Sequence, residues 1–451
     1  MIENALRPER LPALDHSDGT TSGRAASGGG PTWVYAYVVI QLMSQLALLV
    51  EQFVSARVYI RSAALGTSLA FFVLAPGRIR SWGVVRALWF LALAIETLEV
   101  FNPLGGSPLS VVAHWAFNLA VMAPLLWVGR LNIPRGTVQR VLILLWAFHT
   151  LGSILGVLQV YFPGQFEPSV ASLTERRHLM IQLSSGEWML RPMGLSDTPG
   201  GAGMNGLYAA LFGSGILLVR PFRFARAAGV ISICLGLMCI YLSQVRSSLV
   251  MLVVCFIVLT VLLSLSGRAT RATTFALLVG IAALVVFYIA ASVGGQMMSS
   301  RVSSLVATDP GTVYYANRGR MLEYTFAELL PRYPLGSGLG HWGMINAYFG
   351  SAEQEIGAEI QIAGWILDGG LPLLIAYIAA VLAAILHTCR VSQLPNHADA
   401  IWASVIAAYS VGALALCFSY PLFMSSAGLE FWLANALLMQ EVPLPLRSRA
   451  A

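Results

Sequence analysis

Four short segments hold most of the side chains in this chain that could do chemistry. The first is Arg191-Pro192-Met193-Gly194-Leu195-Ser196-Asp197-Thr198-Pro199, followed by Gly200, Gly201 and Gly203 and then an apolar run. Glycine and proline set a tight path, and glycine lets backbone come close to a ligand. Amides at the start of the following helix favour an anion, and an arginine beside them can grip a phosphate with two parallel hydrogen bonds. The plainer reading is an arginine that snorkels to lipid headgroups. The second segment is Ser243-Gln244-Val245-Arg246-Ser247-Ser248, between two apolar runs with almost no loop. A charge there is expensive unless paired or wetted, which favours a role for Arg246.

The third segment contains Asn317-Arg318-Gly319-Arg320 and then Pro331-Arg332-Tyr333-Pro334-Leu335-Gly336-Ser337-Gly338-Leu339-Gly340-His341. The glycines imply a tight backbone path. No strand precedes them, so a dinucleotide-binding turn is rejected. His341 is a candidate proton acceptor. The fourth holds Glu353, Glu355 and Glu359, then Asp368-Gly369-Gly370. On a helix, positions 355 and 359 share a face, with Asp368 opposite. Glu353 and Glu355 read as loop-solvating residues, whereas Glu359 and Asp368 read as functional. The glycine pair is expected to break the helix before a spanning run from 371. His114 and His149 fall inside apolar runs and read as hydrogen-bonding residues between helices, without a catalytic role.

The elements that must position these residues follow from composition. Of 451 residues, 57% are hydrophobic and 11% charged, less than half the charge that a water-facing surface requires. Disorder, collagen and disulfide scaffolds are excluded on the same grounds. The fold class expected is all-α, a polytopic integral membrane protein. Apolar runs near 33–53, 58–75, 84–101, 108–128, 141–161, 204–219, 227–243, 247–265, 273–292, 371–389, 401–419 and 421–440 predict about twelve crossings. Residues 1–32 predict a disordered cytoplasmic tail, 33–441 a transmembrane bundle, and 442–451 a cytoplasmic C-terminal tail. No signal peptide precedes the first run.

All 27 basic residues are arginines. With the N-terminal tail in the cytoplasm, 17 of them fall in the tails and inner loops, as the positive-inside rule expects. The net charge of +6 therefore needs no nucleic acid. The other ten are Arg57, Arg61, Arg176, Arg177, Arg191, Arg246, Arg301, Arg318, Arg320 and Arg332. Topology gives no reason for them. Most lie in two long outer loops, 162–203 and 293–358, whose mixed composition favours order and function. The five cysteines all lie in or beside apolar runs, and no Cys/His metal spacing occurs.

These segments, in this order, resemble the superfamily of O-antigen ligases and Wzy-type polysaccharide polymerases. The likeness spans roughly residues 160–390. It rests on Arg191, Gly194 and Pro199; on Ser243 to Arg246; on Arg320 and the run from Pro334 to Gly340; and on Asp368, Gly370 and Leu371. Ligases of the family carry a His-Asn pair where this chain has Glu359 and Ile360, which favours the polymerase or another member of the family. The resemblance implies glycosyl transfer on the outer side of the bacterial inner membrane, without metal or other cofactor. The donor would be a glycan on undecaprenyl pyrophosphate and the acceptor a second lipid-linked repeat unit. A chain-length regulator and a flippase would be the protein partners. Arg191 and Arg246, helped by Arg318 or Arg320, would stabilise the departing diphosphate. Glu359, or second His341, would deprotonate the acceptor hydroxyl. A ligase using another acceptor is one rival. A transporter of an anionic solute is another, and it would place its charges at the bilayer midplane, which most of the runs leave bare; a non-catalytic scaffold of an envelope assembly is a third, made less attractive by the two long loops.

Overall fold

A chain surrounded by hydrocarbon must satisfy its backbone polar groups within each segment, so an apolar run there becomes a helix. In the computed structural model all twelve apolar runs are helical. The structure describes residues 29–79, 83–166, 180–182, 188–198, 200–219, 222–293, 309–350, 356–394 and 398–441. The helices in chain order are α1 (Gly30–Ala47), α2 (Arg57–Leu74), α3 (Val84–Glu99), α4 (Pro108–Met122), α5 (Pro124–Arg130) and α6 (Thr137–Tyr161). Then come α7 (Gly201–Val219), α8 (Arg223–Ser243), α9 (Arg246–Leu265), α10 (Ala269–Val293), α11 (310–332), α12 (Gly343–Phe349), α13 (Gln361–Ser392), α14 (Ala398–Leu416) and α15 (Ser426–Glu441). A small antiparallel hairpin, Met180–Gln182 with Trp188–Leu190, departs from the expected all-helical plan.

Among the described residues, eight helices are long and apolar enough to cross a membrane, or nine if α4 and α5, bent by 45°, count as one. The sequence predicts about twelve. The difference lies in α1, α3 and α15, which have 18, 16 and 16 residues. Sixteen residues reach only about 24 Å, short of a hydrocarbon core of about 30 Å. These helices also carry polar groups: Gln41 and Gln45, Arg86 and Glu96, Glu430 and Asn435. The perimeter is apolar, with Ile257, Ile281 and Leu284 all more than half exposed. Such a face suits lipid rather than water. The architecture is that of a polytopic helical membrane protein.

Helix directions alternate, so the bundle has two distinct ends. At one end the Arg130 guanidinium donates to the Phe72 carbonyl at 2.7 Å. There too Glu441 accepts the Val138 amide at 3.0 Å, and the Ser266 hydroxyl bonds the Ser392 carbonyl at 3.0 Å. At the other end gather the starts of α2, α7, α9 and α13 and the ends of α3, α6, α8 and α14, with α11 and α12.

Residues 30–32, assigned to the tail by sequence, belong instead to α1, because Pro31 sits at a helix N-terminus where its missing amide costs nothing. Residues 1–28 and 442–451 lie outside the described residues.

The tightest helix pair is α7 with α8. A Cβ on Gly206 would come 2.6 Å from the Gly236 carbonyl oxygen, so the two backbones touch across glycine. This fixes α7, whose N-terminal end carries the Arg191 segment.

The other determining feature is a break inside α13. Gly370 has φ +64 and Gly369 is non-helical, as the glycine pair predicts. The loop from Pro334 to Gly340 enters the break. The Leu371 amide donates to the Pro334 carbonyl at 2.9 Å, and the Ser337 amide to the Leu367 carbonyl at 2.7 Å. Pro372 stands just past the break, near the start of the second half-helix, where its missing amide costs little.

Candidate functional site

The Arg191 segment is held by α6. The Gln159 side-chain oxygen accepts the amides of Met193 and Gly194, both at 2.9 Å. Gly194 is left-handed at φ +62, and a Cβ there would meet the Gly152 carbonyl oxygen at 2.6 Å. Glycine is required so that the loop can lie flat on α6. Arg191 itself is half-buried, and its Nε, shielded from solvent, has no hydrogen-bond partner among the described residues. Burial pulls its guanidinium below the usual arginine range.

Arg318 arrives from the other side on α11. It lies in a π-turn, 315–319, one of two in that helix. Each π-turn widens the helix by a residue, a local distortion common at functional sites. Arg318 pairs with the Glu359 carboxylate. Burial first, and the Arg191 charge second, pull Arg318 below the usual range. The two cations are therefore close enough to repel. Two guanidiniums and one carboxylate leave one positive charge over, the balance that suits an anionic ligand. Glu359 lies in an irregular segment before α13, not on a helix, and is mostly exposed. Glu353, Glu355 and Pro199 lie outside the described residues.

Arg246 is the first residue of α9. The sharp turn before it has Gln244 at φ +54, an unusual conformation for a residue with a side chain. The turn packs on the head of α7: a Cβ on Gly200 would meet Val245 at 2.7 Å, and one on Gly203 would meet Ser243 at 2.9 Å. Arg246 thus adjoins the segment that carries Arg191. Arg320 is exposed on α11, beside Tyr315.

His341 is buried, and its Nε2 donates to the Leu104 carbonyl at 2.6 Å. A carbonyl can only accept, so this nitrogen carries the proton. The ring ties the glycine loop to the turn between α3 and α4.

A second tie holds the same loop. The Gly340 amide donates to His114 Nδ1 at 3.1 Å. His114 must then carry its proton on Nε2, which faces Asp368 at 3.2 Å. The other Asp368 oxygen accepts the Trp342 indole at 2.8 Å. Asp368 therefore accepts the Trp342 indole and faces the His114 N–H, two contacts that seat the loop. In Asp368→Asn an NH₂ replaces one of the two oxygens, so a donor is set against either the Trp342 or the His114 N–H. This variant is expected to lose about 2 kcal/mol of stability, read as a lower unfolding temperature of the purified protein in detergent.

The sequence singled out Arg191, Arg246, Arg318, Arg320, Glu359 and His341. The structure pairs Arg318 with Glu359, sets Arg191 within electrostatic reach of Arg318, and sets Arg246 on the turn beside the Arg191 segment. Reading the sequence set Arg61 among the arginines that topology does not explain but gave it no place in the site; it pairs with Asp197 and donates to the Tyr348 hydroxyl at 2.7 Å, linking α2, the Arg191 segment and α12. That reading missed Gln159, whose one signal was a polar amide near the end of an apolar helix. Among the described residues no group of three or more His, Cys, Asp or Glu could hold a metal ion. No known protein-family model matches this sequence, and no curated protein shows significant similarity to it.

Proposed function

We propose that this chain is a glycosyltransferase of the bacterial inner membrane that polymerises glycan repeat units carried on undecaprenyl pyrophosphate. In this reading it crosses the membrane about twelve times with its N-terminus in the cytoplasm, and the end carrying α11 and α12 faces outward. The observation that supports it is the convergence of Arg191 and Arg318, from distant parts of the chain, at that end.

The reaction breaks the bond between the anomeric carbon and the diphosphate oxygen. Negative charge grows on that oxygen as it leaves. Preorganised guanidiniums in a partly buried site stabilise the charge without solvent reorganisation. Arg191 and Arg318 take this role, with Arg246 and Arg320 at the margin. The acceptor hydroxyl attacks from the opposite face, which inverts the anomeric centre. Its proton passes to a base, and the lipid diphosphate leaves as the anion. Glu359 is the base in this scheme, freed from Arg318 when the diphosphate takes its place. His341, with Nε2 committed to Leu104, is second.

A chain-length ladder of lipid-linked glycan in a deletion strain tests the proposal. Loss of long chains, with single repeat units accumulating, supports a polymerase. Long chains stranded on the carrier point instead to a ligase. An unchanged ladder overturns both. In that case the transporter reading gains, and the observation favouring it is a His149–Glu430 pair deep in the bundle.

A further inference from the structure

His149 lies midway along the 25-residue α6, about 18 Å from either end. It is buried and stacks on Tyr208, with ring centroids 4.4 Å apart. Its Nδ1 is 2.8 Å from Asn205 Oδ1. Its Nε2 is 3.7 Å from Glu430 Oε1.

The donors and acceptors can be counted. An amide oxygen only accepts, so His149 Nδ1 must donate to Asn205. A neutral imidazole has one N–H, and Asn205 has used it. Nε2 then turns a lone pair toward a carboxylate oxygen, which is also an acceptor when ionised. One added proton resolves the conflict. It makes either imidazolium facing carboxylate or neutral imidazole facing carboxylic acid. The pair is thus built to hold one proton that neither partner needs for its other contacts.

The surroundings give that proton a route. Glu430 lines a small, partly open cleft of about 20 Å³ between α1, α6 and α15, with Tyr37, Gln41, Gln45 and Ser426 among its walls. Its second oxygen, Oε2, is shielded from solvent and has no hydrogen bond of good geometry among the described residues. Tyr208 of α7, Tyr409 of α14 and Tyr37 of α1 face the carboxylate. Tyr208 and Tyr409 bond each other at 2.8 Å. An ionisable pair at this depth is costly unless it is used.

We infer that His149 and Glu430 form a proton-binding centre within the membrane-spanning bundle, which holds one exchangeable proton between imidazole and carboxylate and trades it through the cleft. The centre is independent of the outer arginines and of the glycosyl-transfer reading.

The test uses the full chain in lipid nanodiscs with nitrogen-15 histidine. His149→Gln identifies the His149 signals. Nδ1 should stay protonated throughout a pH titration while Nε2 gains and loses its proton. In Glu430→Gln the proton affinity at Nε2 should fall about tenfold or more. Gln45→Leu, which makes one polar wall of the cleft apolar, should slow hydrogen–deuterium exchange at Nε2. An unprotonated Nδ1 in the wild type, or equal titrations with and without Glu430, would overturn the centre. Exchange unaltered by Gln45→Leu would overturn the route. If Glu430→Gln does not accumulate, infrared difference spectra across a pH step decide with Glu430→Asp. A carboxyl band moved by that change supports the centre, and spectra without any titrating carboxyl or imidazole overturn it.

Discussion

Arg191→Gln and Arg318→Gln are each expected to cut glycan polymer roughly a hundredfold while leaving the protein's membrane abundance close to wild type. The size follows from removing one preorganised donor aimed at a developing anion. Glutamine keeps much of the length and can still donate hydrogen bonds, so packing is largely preserved while charge and fork geometry are lost. Arg191 has more to lose, because its Nε is shielded and awaits a partner. Arg246→Gln should give a smaller loss from its place on the adjoining turn, and Glu359→Gln should lose polymer if the carboxylate is the base. Arg140→Gln, exposed at the other end of the bundle, is the control. Glycan length and membrane abundance are measured on the same cells. Normal polymer from well-expressed Arg191, Arg246 and Glu359 variants would remove the site.

Gly370→Val is expected to leave little folded protein. A β-branched residue at φ +64 is strained by about 1–3 kcal/mol before any contact is counted. Its Cβ would also lie 2.5 Å from the Pro334 carbonyl carbon and 2.6 Å from that of Leu335, and neither backbone can retreat because the loop is pinned on both sides. Gly280→Val, on α10 with nothing within 4 Å of the added Cβ, is the matched substitution that should be tolerated. Monodispersity in detergent and thermal unfolding distinguish the two. Equal behaviour would show that the break in α13 is not a fixed part of the fold.

Much of the helical layout was legible because apolar runs in a charge-poor chain have few alternatives. The break at Gly369-Gly370 was legible for a similar local reason. The tail boundary and the three short helices were not, since length and a few polar residues decide them. Residues 310–332 read as part of a long loop and form α11, because π-turns scramble the usual periodicity of its side chains. The hairpin at 180–190 has strands of three residues each, too short to leave a pattern. At the candidate site, individual arginines could be picked out because topology did not account for them. Their partners could not. The Arg318–Glu359 and Arg61–Asp197 pairs join segments far apart in sequence, and a charge gives no sign of which opposite charge it will meet. The same holds for Asp368, which looked functional from its cost and proves to seat the glycine loop through His114 and Trp342.

The break in α13 bears on how the protein is assembled during synthesis. The carbonyl that caps its second half comes from Pro334, and the loop around Pro334 is seated in turn by Leu367, Asp368 and Leu371. Neither piece is complete without the other, and the loop is made first. A nascent chain released before Leu371 would carry a glycine loop with no seat. The outer surface can set only after the later helix has been threaded into the bilayer.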